Sequence, residues 1–215
     1  MIICQDIHKR YRSGHTVKTV LRGVNFTINR RDRIGLLGRN GAGKTTLIKL
    51  IGGVEMPTSG KIIRSMRCSW PLGFNGGFQG SMTGYDNARF IARIYNKPYK
   101  EMRVFIEEFT ELGSQLRMPV KTYSSGMRAR LAFALTLAIE FECYLIDEVI
   151  MVGDRSFQLK CQAEFFEKRQ DRALLLASHS ADFIQRYCNR AIVLDSGVAT
   201  LYEDVKEALR IYAAL

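Results

Sequence analysis

Gly38-Arg39-Asn40-Gly41-Ala42-Gly43-Lys44-Thr45 meets the pattern G-x-x-x-x-G-K-[ST] at all four fixed positions. The chemistry this spacing serves is the holding of an anion. A loop that leads from a strand into a helix turns several backbone N–H groups toward one point, and its glycines let the chain approach a ligand with no Cβ in the way. Phosphate is the ligand implied. Lys44 is expected to reach the β- and γ-phosphates, and the Thr45 hydroxyl to help hold a Mg²⁺ that bridges them, with Thr46 beside it among the nucleotide contacts. The competing reading is a glycine-rich turn with a stray lysine.

A second run with chemical potential is Cys143-Tyr144-Leu145-Ile146-Asp147-Glu148, a mostly apolar stretch ending in two acids. Adjacent strand residues point to opposite sides, so the two carboxylates are expected to differ in role. Asp147, at the strand's end, is the expected Mg²⁺ partner. Glu148 is the expected base that orients water for attack on the γ-phosphate. The competing reading is a strand that ends in solvated acids. His179 lies in "LLLASHS" after a β-like run. Taken alone it reads as a structural histidine at a strand end; downstream of an acidic strand it gains a second reading, as a donor to the γ-phosphate and the attacking water.

These residues need elements to position them. Ile34, Leu36 and Leu37 read as a short buried strand before the phosphate loop, and Thr46 to Ile51 as a helix after it, ended by Gly52-Gly53. The first third alternates β-like runs, "TVLRGVNFTI", "RIGLLG" and "GKIIRSMRCSW". From about 82 to 140 the apolar spacing becomes three and four, in "YDNARFIARIYN", "YKEMRVFIEEFTELGSQL" and "SSGMRARLAFALTLAIEF". Strands and helices then alternate again through "CYLID", "SFQLKCQAEFFEKRQ", "ALLLAS", "SADFIQRYC" and "RAIVLDSG", closing on an amphipathic helix in "YEDVKEALRIYAAL". A helical insertion thus interrupts an α/β core. No internal repeat and no Pro- or Ser-rich linker is visible.

The 215 residues, 47% hydrophobic, suffice for one α/β domain or one domain with an inserted subdomain. The N-terminus lacks a signal peptide's apolar region, and the longest nearly apolar run, Leu131 to Ile139, is too short for a bilayer, so membrane spans are expected on another chain. Five scattered cysteines with no C-x-x-C pair argue for reduced thiols and against a disulfide framework or a structural zinc. The net charge of +11 is spread along the chain. It fits a solvated basic surface or attraction to an anionic leaflet, at about 1 kcal/mol per nearby Lys or Arg, and charge alone does not choose.

At these residues the chain resembles the ATP-binding subunits of ABC transporters over essentially its whole length. Tyr123-Ser124-Ser125-Gly126-Met127 stands where that family's L-S-G-G-Q signature would stand. The resemblance implies one ATP-binding domain with a P-loop NTPase α/β core, a mixed sheet, an N-terminal antiparallel β part and an inserted helical subdomain. It implies ATP and Mg²⁺ as cofactors. It also implies a dimer of two copies, because in the family the signature, here Ser124, Ser125, Gly126 and Met127, caps a helix facing the γ-phosphate of ATP bound to the other subunit. By the same resemblance Tyr11 corresponds to the aromatic that stacks on adenine, with simple packing as its other reading. Asp154 in "VGD" corresponds to the acid of the loop linking the two sites, and His179 to the switch histidine. Gln79 corresponds to the glutamine that couples the site to the membrane partner, or is an ordinary surface glutamine.

Departures narrow the resemblance. Tyr123, Ser125 and Met127 replace Leu, Gly and Gln of the signature, and Val149 replaces the proline usual after the acidic pair. "SWPLGFNGGFQGSMTGYDN", "KTYSSGMRARLAFAL" and "YLIDEVIMVGDRSFQLKC" together look like the ATPases that export capsular polysaccharide across the inner membrane of Gram-negative bacteria. That likeness implies a peripheral place on the cytoplasmic side of the inner membrane, an integral-membrane permease as partner, and a periplasmic and outer-membrane polysaccharide export apparatus beyond it. No nucleic acid is expected as partner, and no glycan site, since the chain stops before a carbohydrate-binding domain. The rivals are an ABC ATPase exporting another glycan, lipid or drug, a soluble ABC ATPase acting on nucleic acid or ribosomes, and a P-loop small-molecule kinase.

Overall fold

The structure is a computed structural model that describes residues 1–72, 79–147 and 154–215. Glu148, the expected base, and Val149 lie outside the described residues. The chain forms two compact units, Met1–Pro71 with Glu142–Glu148 and Arg169–Leu215, and Leu72–Phe141 with Val149–Lys168.

The first unit carries two sheets. In one, β1 (Ile2–Ser13) lies between β2 (Thr16–Ile28) and β4 (Ser59–Arg64), all antiparallel. The other has the order β5 (Cys143–Asp147), β6 (Ala173–Ala177), β3 (Arg33–Leu37), β7 (Arg190–Asp195) and β8 (Val198–Tyr202). The first four are parallel and β8 runs antiparallel on the edge, so the sheet is mixed. Parallel strands covered on both faces read as unbroken apolar runs, which is why "ALLLA" of β6 is buried at every position. Helix α1 (Lys44–Ile51) follows the phosphate loop and sets Leu47, Ile48, Leu50 and Ile51 into one core with Ile34, Leu36, Leu145, Leu175 and Ile192 of the mixed sheet and Ile2, Ile7 and Leu21 of the antiparallel one.

Strand β1 went unread in the sequence because its alternation is broken. Register shifts fall between Cys4 and Ile7, between Ile7 and Lys9, and between Lys9 and Arg10, so Asp6 to Arg10 show no period of two. Strand β8 is short, on an edge and exposed at two of its five positions, and gives little apolar signal.

The second unit is helical: α2 (Gly84–Ile94), α3 (Tyr99–Thr110), α4 (Ser125–Ile139) and α5 (Arg155–Gln162), the last continued by a π-helical turn over Ala163–Glu167. Thr83 and Asp86 form a reciprocal capping box at the start of α2. Within "YKEMRVFIEEFTELGSQL" the helical spacing is not carried by one helix: the chain turns at Glu111, with φ 56°, and resumes as a 3-10 turn over Gly113–Arg117. The segment "SFQLKCQAEFFEKRQ" belongs with this unit and not with the alternating core, because Phe157 and Phe165 stack edge-on against Phe133 of α4 at 6.1 and 5.7 Å. Helices α6 (Ala181–Tyr187) and α7 (Val205–Ala213) belong to the first unit. All five cysteines are free, and burial pushes the Cys4, Cys161 and Cys188 thiols up to about 12, holding them protonated and unreactive.

Candidate functional site

The loop from β3 to α1 is shaped by what its glycines avoid. A Cβ on Gly38 would stand 2.6 Å from the Leu194 carbonyl oxygen of β7. Gly43, the N-cap of α1, has φ 112°, and a Cβ there would meet Val20 Cγ1 at 2.9 Å. Having no side chain, Gly43 cannot cap α1, and the first turn holds no acid. The helix therefore presents its first N–H groups and its positive dipole end to whatever enters the loop, the arrangement that suits an anion. Lys44 is buried, with 6% of its surface exposed, and its Nζ donates to the Gly38 carbonyl at 2.7 Å. A bond from Ala42 N–H to the Arg39 carbonyl at 3.1 Å closes the turn.

The loop opens into a cleft of about 510 Å³. Asn40, Gly41, Gly43, Lys44, Thr45 and Thr46 line one part of it, and Tyr11, Lys18 and Val20 of the β1–β2 hairpin the other. Gly38, Arg39 and Ala42 shape the turn without lining the cleft. A volume of this size suits a drug- or nucleotide-sized ligand. Tyr11 faces Lys18 across the hairpin, and its hydroxyl donates to the Glu55 carboxylate at 2.6 Å. Burial, then this bond, raises the Tyr11 pKa; the same bond, aided by Lys9 and Lys49, lowers that of Glu55. Lys18 and Glu55 escaped sequence reading, since neither belongs to a motif and only the fold brings them to Tyr11, Lys18 across the hairpin and Glu55 from the turn after α1.

The mixed sheet aligns the other expected residues. Asp147 at the end of β5 and Leu36 of β3 both pair with Ala177 of β6, from opposite sides. Gly38 follows Leu36 by two residues and His179 follows Ala177 by two. The phosphate loop, His179 and Asp147 thus leave the carboxyl ends of three adjacent strands, where open α/β sheets bind ligands. Neighbouring strands lie about 4.8 Å apart. Asp147 is half-buried and His179 exposed.

The remaining residues sit in the helical unit. Ser124 is the N-cap of α4 and its Oγ accepts from Met127 N–H at 3.2 Å. Ser125 is exposed, and Gly126 and Met127 half-buried, in a first turn that carries no acid. A Cβ on Gly126 would meet only Ser124 Oγ, at 3.9 Å. Tyr123, in the signature's leucine position, is buried and donates to the Gln115 carbonyl at 2.7 Å, so it packs where a leucine would. Asp154 caps α5 by accepting from Phe157 N–H at 2.9 Å and is ion-paired with Arg130. Arg130 also donates to the Thr110 carbonyl at 3.0 Å and reaches Glu111 at 3.6 Å. Gln79 is exposed; its backbone N–H donates to Asn87 Oδ1 at 3.0 Å and its Nε2 to Ser81 Oγ at 3.4 Å.

Residues 21–151 match the family described as ABC transporter. The chain is 54% identical, over all of both chains, to the capsule polysaccharide export ATP-binding protein CtrD of Neisseria meningitidis serogroup B. It is also 54% identical to the ATP-binding protein BexA of Haemophilus influenzae, over 99% of this chain and 98% of that one. Its fold is similar to that of a dimeric ATP-binding cassette in a post-hydrolysis state bound to ADP and Pi, with a TM-score of 0.80 at 17% identity, covering 94% of this chain and 98% of the other. A family match across the phosphate loop and the acidic strand, with relatives aligned end to end, carries the conclusion: this chain belongs to the ABC transporter family.

Proposed function

We propose that the chain is the ATP-binding and ATP-hydrolysing subunit of an exporter that drives capsular polysaccharide across the inner membrane through a separate permease. The observation that carries the ATPase part is the uncapped N-terminus of α1 opening on the cleft with Lys44 beside it. The substrate part rests on identity at 54% along the whole chain to a relative named for capsule polysaccharide export.

In this reading the α1 N–H groups and Lys44 hold the phosphates, and Tyr11 stacks on the base. Thr45 and Asp147 offer a hydroxyl and a carboxylate, the hard oxygen donors that suit Mg²⁺. Among the described residues no cluster of three His, Cys, Asp or Glu is built to hold a metal alone, which fits an ion completed by nucleotide phosphates. Bound there, Mg²⁺ would neutralise phosphate charge. Glu148 orients the attacking water and His179 contacts the γ-phosphate. Ser124 to Met127 meet the nucleotide of a second copy, with Asp154 and Gln79 linking the sites to each other and to the permease. Both units form a single ATP-binding domain, held on the cytoplasmic face of the inner membrane by the permease and working with a periplasmic and outer-membrane apparatus.

The test is a deletion of the gene in its own cell. Polysaccharide should accumulate inside and vanish from the surface, with Mg²⁺-dependent ATPase activity in the purified chain and a polytopic membrane protein in the purified complex. Normal surface polysaccharide would defeat the substrate assignment, and co-purifying ribosomes or RNA would defeat the exporter reading.

A further inference from the structure

Glu55 follows α1 in the turn toward β4 and belongs to no motif. Its carboxylate gathers three partners: the Tyr11 hydroxyl at 2.6 Å, Lys9 Nζ at 3.1 Å and Lys49 Nζ at 3.5 Å. Lys9 is itself anchored, donating to the Met56 carbonyl at 2.8 Å, and lies 4.9 Å from the centroid of the Tyr11 ring. Tyr11 lines the cleft and Lys9 does not, so the ammonium backs the ring and leaves the cleft side open. The Thr46 side chain also bonds the Tyr11 hydroxyl, but away from these two contacts and Lys9 the ring is open. It is 39% exposed, and the pairing of β1 with β4 ends at His8, so at Tyr11 only β2 flanks the strand.

An aromatic ring with that freedom would lose rotamer entropy on stacking, which weakens binding; a ring already fixed does not. We infer that Glu55 is a positioning residue of the cleft: by accepting the Tyr11 hydroxyl it sets the ring plane on which the base of a nucleoside triphosphate stacks. This deepens the proposed function and rests on it. Glu55 does not line the cleft, so its effect should pass through the Tyr11 ring and follow the base. The lowered pKa of Glu55 and the raised pKa of Tyr11 keep the pair as carboxylate and phenol between about pH 5 and pH 9.

Two probes separate positioning from general structure: Mg²⁺-ATP, and Mg²⁺ with inorganic tripolyphosphate, which has no base. By calorimetry Glu55→Ala should bind ATP about five-fold more weakly and tripolyphosphate as the unmodified protein does. Tyr11→Phe cuts the same bond from the other end and should give the same loss, and the double variant should be no weaker than either single one. Glu55→Gln keeps an acceptor oxygen and should restore most of the affinity. Tyr11→Ala removes the stack and should cost more, about five- to a hundred-fold. Equal weakening of both probes in Glu55→Ala, or ATP binding unchanged in Glu55→Ala and Tyr11→Phe, would overturn the inference. Absence of ATP binding by the folded, unmodified protein would overturn the proposed function with it.

Discussion

Replacing Gly126 with alanine separates a glycine kept for a ligand from one kept for the fold. Gly126 is the second residue of α4 and its φ is not positive. The added Cβ would have Ser124 Oγ at 3.9 Å as its nearest contact, an ordinary van der Waals distance. Nothing in its own unit forbids a methyl group there, and alanine in a helix is favoured over glycine by up to about 1 kcal/mol, less in a first turn. A gain of about 0.5 kcal/mol is expected, which raises Tm by roughly 1–2 °C in a chain of this length. Gly43→Ala is the contrast. With φ at 112° and Val20 at 2.9 Å, it should cost about 2 kcal/mol and lower Tm by roughly 4–8 °C. If a phosphate bound to a second copy meets the α4 N-terminus, the Gly126 methyl would stand where that phosphate approaches, and ATP-driven dimerisation should weaken about ten-fold or more. Calorimetric melting gives the first quantity, and light scattering of the ATP-bound protein, trapped by Glu148→Gln, gives the second. A Tm several degrees lower would show a structural glycine, and unchanged dimerisation would remove the α4 N-terminus from the nucleotide site.

Lys44→Ala removes the cation beside the loop, so ATP affinity should fall about ten-fold or more and turnover with it; unchanged binding by calorimetry would refute the role of the loop. Glu148→Gln keeps the shape of the side chain and removes a base, so hydrolysis should drop about 10²- to 10⁴-fold while ATP binding persists, and a near-normal steady-state rate would show the base to be another group. Arg130 ties Asp154 and Glu111 together, and both carboxylates have lowered pKa values: Asp154 chiefly through the Phe157 N–H, Glu111 chiefly through Lys160, with Arg130 contributing to each. A lowered folded-state pKa gives stability that is present above the unfolded value near 4 and is lost as pH falls through the folded one. Arg130→Ala should therefore lower Tm at pH 7 and flatten its decline toward about pH 3; parallel melting curves for the two proteins across that range would deny Arg130 its part.

What the sequence disclosed was local, and what it hid was assembled from a distance. The phosphate loop is eight contiguous residues whose glycines and lysine make sense only between a strand and a helix, so both elements were readable around it. Burial on both faces left β3, β5, β6 and β7 as plain apolar runs. Strand β1 concealed itself behind bulges, and with it the wall of the cleft that carries Tyr11. Glu55 reaches Tyr11 across 44 positions of chain, and no spacing rule points to such a pair. The break after α3 was equally hidden, because Glu111 takes up a left-handed turn that its residue type does not announce. The placement of α5 was set by Phe133 and its two aromatic neighbours, a contact that periodicity along α5 could not convey.

Strand β3, which leads into the phosphate loop, has as its sheet neighbours β6 and β7. It is made early and its neighbours late: Leu37 leaves the ribosome well before Ala173 does. At about 5–20 residues per second, roughly seven to thirty seconds pass before β3 can be paired. The antiparallel sheet faces no such delay, since β1, β2 and β4 all lie within the first 64 residues. A nascent chain can thus build the wall bearing Tyr11 while the loop opposite it still lacks a sheet to stand on. Nucleotide binding then becomes a property of the finished polypeptide, and a prematurely terminated chain would not compete for ATP.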